Sequence, residues 1–110
     1  MTLSAVDRML ATQYAVINTA ASGQTALVTA DASRQIFVVS YVIVASGAVT
    51  VQFQSGNTAL TGAMALAANG GISVPDSGGA PLLVTAINQA LNINLGGAVQ
   101  VSGHIAYFLS

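Results

Sequence analysis

The stretch IFVVSYVIVASGAVTVQFQ, residues 36–54, decides the fold. Its first part, Ile36–Val44, is dense in Val, Ile, Phe and Tyr, whose branched or aromatic side chains suit a pleated surface. Ser46-Gly47 then interrupts the run. Beyond it Val49, Val51 and Phe53 alternate with Thr50, Gln52 and Gln54, the period of two that marks a strand with one dry face and one wet face. Two strands joined by a turn, with no helical period in either, predict β structure.

Working toward the N-terminus, Asp31-Ala32-Ser33-Arg34 predicts a type I turn. An Asp in its first position can bond its own backbone two residues on. Thr25–Thr29 precedes it, and Tyr14–Asn18 lies before Ser22-Gly23. Toward the C-terminus, Ser55-Gly56-Asn57 turns the chain, and Ala59–Leu66 carries Gly62 inside it, which predicts a bulge or kink. Asn69-Gly70-Gly71 is a turn, Ile72–Val74 stops at Pro75, and a Gly/Ser/Pro loop leads to Leu82–Val84. Leu91, Ile93 and Leu95 alternate with Asn92 and Asn94. Gly96-Gly97 predicts a hairpin into Val99–Leu109, where Val99, Val101, Ile105, Tyr107 and Leu109 share one face. About eight short strands with turn signals at this spacing predict an all-β fold, an antiparallel β-sandwich or barrel.

Residues 1–13 read differently. Leu3, Val6 and Leu10 recur at helical spacing around Asp7 and Arg8, which is the pattern of a short helix or arm, or of a frayed terminus. The expected organisation is an N-terminal arm over 1–13 and one sandwich domain over 14–110, within the range of a single domain.

Composition narrows the function. Of the 110 residues 54% are apolar and only 5% charged, against about 25% in an ordinary soluble domain. The charges are Asp7, Arg8, Asp31, Arg34 and Asp76, for a net charge of −1. Two arginines cannot neutralise a run of phosphates or hold an anionic membrane surface, so no nucleic-acid or membrane partner is expected. The longest apolar run is too short for a spanning helix, which needs about 20 residues. No basic n-region or uninterrupted apolar stretch marks an export signal.

Chemistry finds few candidates. The single histidine, His104, lacks the nucleophile-and-acid partnership of a triad, and no G-x-S-x-G elbow is present. With no cysteine and no zinc or EF-hand spacing, no metal or cofactor is expected. Asp31 and Asp76 read as turn caps, and the paired glycines as turn glycines without a phosphate-loop spacing. The expectation is a protein that is not an enzyme.

What remains is surface. Ile36–Val44 is apolar on both faces, so one face enters the core and the other meets either the chain's own N-terminal segment or another subunit. Phe37, Val39, Tyr41, Ile43 and Phe108, together with Leu3, Val6 and Leu10, are the expected interface residues. No candidate strand carries a charge, and lysine, the usual guard of an exposed sheet edge, is absent.

The run VVSYVIVASGAVTVQFQSGNTALTGAMALAANGGISVP and the ending ALNINLGGAVQVSGHIAYFL resemble small proteins encoded among the head genes of tailed double-stranded-DNA phages, the capsid decoration, cement or staple proteins. The resemblance covers residues 14–110 and lies in a pattern of small apolar residues and turns. It implies a jelly-roll-like sandwich on the outside of the virion head, forming dimers or trimers and bridging neighbouring major capsid protein subunits. It carries over no catalytic residue. A carbohydrate-binding jelly roll and a tail or fibre component are the competing expectations.

Overall fold

The computed structural model describes residues 12–76 and 80–110; the expected arm residues Leu3, Val6 and Leu10 lie outside them. Among the described residues there is no helix, and ten strands run in the order β1 (Gln13–Thr19), β2 (Gly23–Val28), β3 (Ile36–Ala45), β4 (Val49–Ser55), β5 (Thr58–Ala59), β6 (Met64–Leu66), β7 (Gly71–Val74), β8 (Leu83–Val84), β9 (Leu91–Leu95) and β10 (Val101–Leu109). One sheet has the order β1-β10-β3-β7, with β8 also on β3. The other has the order β2-β9-β4-β5, with β6 also on β4. Every pairing is antiparallel.

The fold is a β-sandwich of jelly-roll topology. β5 with β6, and β7 with β8, are interrupted strands on one edge of each sheet. Counted that way, each sheet has four positions, and every connection except β4 to β5 crosses between sheets. The interruptions have local causes. Gly62 lies between β5 and β6, as the sequence predicts, and Pro75, which cannot donate to a ladder, follows β7.

The core lies between the sheets. Ile17, Ile36, Val38, Tyr41, Ile43, Val101 and Ile105 face Val49, Val51, Phe53, Leu91, Ile93 and Leu95, nearly all without solvent contact. The Tyr41 and Phe53 rings meet across the layers, with centroids 5.0 Å apart and planes tilted by 54°. At the corner where β1 turns into β2, Thr19 and Thr25 join the layers by a 3.2 Å hydroxyl bond. Thr85, fully buried beyond β8, donates its backbone N–H to the Ile36 carbonyl and accepts the Ile36 N–H on its hydroxyl, so it extends the edge by one more pair.

Two expectations need correction. Gly96-Gly97 does not close a hairpin, because β9 and β10 belong to different sheets. Gly96 instead donates to the Thr50 carbonyl and Val99 to the Gly97 carbonyl as the chain crosses the end of the sandwich. Glycine pairs serve a corner as well as a hairpin, and alternation on either side is the same in both cases.

The second correction concerns β3. Its register against β10 pairs Ala106 with Ser40 but Tyr107 with Val38, leaving Val39 as an extra residue. A bulge of this kind switches which residues face inward. Above it Tyr41, Ile43 and Ala45 enter the core; below it Val38 and Ile36 do. Phe37 and Val39 therefore point away from the inter-sheet core, where they form a second cluster with Ala106 and Phe108. The Phe37 and Phe108 rings stack there at 5.0 Å.

Candidate functional site

The two outer faces of the sandwich differ in chemistry. On the β2-β9-β4 side the outward-facing rows are amides, from exposed Gln24 to buried Asn92 and Gln54: Gln24, Asn94 and Gln52 stand in one row, Asn92 and Gln54 in the next. These groups bond one another. Gln24 donates to Gln54 at 2.5 Å and to Asn57 at 3.0 Å, Gln54 donates to Gln52 at 2.8 Å, and Asn92 donates to the Gly56 carbonyl at 2.9 Å.

The outer face of the other sheet mixes apolar with small polar side chains. Register places Val16, His104, Val42 and Ser73 in one row, Asn18, Ser102, Val44 and Gly71 in the next, and Tyr14, Ala106 and Ser40 in a third. Tyr14 and Val16 are each 74% exposed and Val44 47%, high values for large apolar side chains on regular strands. Val42 is half-buried next to Val44 on β3, with His104 of β10 between it and Val16. His104 lies edge-on to Tyr14, with ring centroids 6.5 Å apart. At one end of this face Gln100 donates to Asn18 at 2.7 Å and to Ser102 at 3.1 Å. Apolar side chains on β1 and β3, with the exposed Ser102 and His104 of β10 between them, make a mixed surface of the kind found at protein interfaces.

The expected interface residues fall on both sides of this sheet. Tyr41 and Ile43 are core residues, 8% and 0% exposed. Val39 and Phe108 are on the outer side but fully buried, with Phe37 half-buried against them. The exposed apolar side chains sit higher on the sheet, at Tyr14, Val16 and Val44. Sequence alternation pointed past it because β1 and β3 are apolar on both faces and the Val39 bulge reverses parity midway. An exposure signal did exist: Tyr14, Val16 and Asn18 share a face, and Asn is rarely buried.

Among the described residues charge is confined to loops: Asp31, Arg34 and Asp76 all lie between strands. Asp31 caps its turn as expected, accepting the Ser33 N–H at 2.9 Å and the Ser33 hydroxyl at 3.2 Å. The Ser33 backbone N–H above all, then its hydroxyl and the Arg34 charge, hold the Asp31 carboxyl below its ordinary value. Among the described residues no group of three His, Cys, Asp or Glu side chains could hold a metal ion. Also among them, no helix is long and apolar enough to cross a membrane. Comparison with protein-family models, curated proteins and solved structures finds no match.

Proposed function

We propose that the chain is a structural decoration protein of a tailed-phage head. It binds the outer surface of the capsid, clamps neighbouring major capsid protein subunits, associates with its own copies as a dimer or trimer, and performs no chemical step. The observation that carries this reading is the exposure of Tyr14, Val16 and Val44 on one outer face of a sandwich whose strands, among the described residues, carry no Asp, Glu, Lys or Arg. Apolar surface left in water costs about 25 cal/mol per Å², so these side chains gain by being covered. Repetition on a lattice turns many weak contacts into firm attachment. The sequence resemblance to capsid decoration proteins supplies the kind of lattice.

The test is co-sedimentation with purified tailed-phage capsids that lack the protein. The expected result is saturable binding at a fixed ratio to capsid subunits, lost in Val44→Lys. Absence of binding at native salt overturns the reading. One observation favours a second reading, a carbohydrate-binding module: the Tyr14 ring is open enough to stack on a sugar. Competable binding on a glycan array, abolished by Tyr14→Ala, would select it. Electron microscopy of labelled virions separates head from tail.

A further inference from the structure

The sandwich has four sheet edges, and three of them are blunted. β7 and β8 are short pieces broken around Pro75, β5 and β6 are two and three residues long, and β2 has a register shift between Ala26 and Val28. β2 also begins at Gly23 with φ of +91°. The fourth edge, β1, is seven residues, Gln13–Thr19, paired in unbroken register with β10 and free of charge, proline and glycine. Among the described residues no strand occupies its other side. Monomeric β proteins guard an edge of this length with lysine, proline or a bulge, because its free N–H and C=O groups form a template for another strand.

We infer that two copies of this chain join at β1, antiparallel about a two-fold axis through Val16, so that two four-position sheets become one continuous sheet. The strand is self-complementary about its midpoint. Gln13 pairs with Thr19 of the other copy, Tyr14 with Asn18, Ala15 with Ile17, and Val16 with itself, so all seven residues find partners. Electrostatics permit it: no Asp, Glu, Lys or Arg lies on β1 or on β10 beside it, and the one titratable group next to the axis is His104. The exposed Tyr14 and Val16 of both copies then lie side by side across the junction. Closed two-fold contacts are also the default form of self-association.

The size of the contact sets its strength. A single seven-residue strand pair buries less than the roughly 800 Å² per partner of a stable complex, so the free dimer is transient and becomes firm when both copies are held on a common support. This inference refines the self-association in the proposed function and makes no use of capsid binding.

The chain has no cysteine, so Val16→Cys introduces a single thiol at the axis, on a side chain exposed enough for the fold to tolerate the change. Mild oxidation of the full-length variant is expected to yield disulfide dimer about tenfold faster than Val44→Cys, which is exposed on the same face but off the axis. A mixture of Tyr14→Cys and Asn18→Cys is expected to cross-link faster than either variant alone, which fixes the register. Equal rates for Val16→Cys and Val44→Cys overturn the inference. So does a monomer whose β1 amides are fully protected from exchange, since another strand then occupies the edge. Neither arm contains a capsid, so failure here leaves capsid binding standing, and failure of capsid binding leaves the dimer standing.

Discussion

Gly103 sits in the middle of β10 with φ of +152°, a conformation that side chains rarely adopt. A Cβ placed there would run into the Val42 carbonyl oxygen on β3 and come within 2.8 Å of its carbonyl carbon. Because both atoms are backbone in a central strand pair, the clash cannot be relieved by a rotamer change. Gly103→Ala is expected to cost about 3 kcal/mol and to lower the melting temperature by more than about 10 °C, measured by calorimetry. Thr85→Val tests a different kind of dependence. It keeps the shape but strips the hydroxyl that accepts the Ile36 N–H at 2.9 Å, and is expected to cost about 1–3 kcal/mol in urea unfolding. Asp31 gives a pH signature. Its carboxyl is held below the ordinary 3.8, so its contribution is present above that value and is lost as the pH falls through the lowered one. The difference in urea midpoint between the native chain and Asp31→Asn is expected to be constant above about pH 5 and to shrink below about pH 4.

At the scale of the element, the bulge in β3 determines which face each side chain serves, and it is testable by neighbouring substitutions. Ile43→Ala removes a core side chain and is expected to cost about 2–4 kcal/mol, whereas Val44→Ala, one residue on, is expected to stay within about 0.5 kcal/mol. A reversed order in urea unfolding would mean that the parity has been misassigned. The strands themselves were legible, because Ile36–Ala45, Val49–Ser55 and Leu91–Leu95 combine β-branched density or strict alternation with clear turn residues. The Asp31 turn was legible for the same local reason. The bulge and the corner at Gly96-Gly97 were not. Both depend on which strand lies alongside, a non-local fact that a run apolar on both faces does not encode. Reading Phe37, Val39, Tyr41 and Ile43 as one face followed directly from that missing residue of register.

For the whole molecule, scarcity of charge is the property that joins fold to role. A soluble monomer ordinarily relies on dispersed charge and a net charge away from zero to keep copies apart. Here five charged residues serve 110 and none of the described ones lies on a strand; among the described residues one sheet edge is long and unpaired, and the face beside it exposes Tyr14 and Val16. The sandwich is well built inside and poorly insulated outside, a combination suited to a part that works in contact with others. Sedimentation velocity of the full-length chain from micromolar to millimolar concentration measures this directly. The expected result is a sedimentation coefficient that rises with concentration from monomer to dimer in the native chain and stays at the monomer value in Val16→Lys. A single monomeric species at every concentration, fully soluble at the highest, would contradict it.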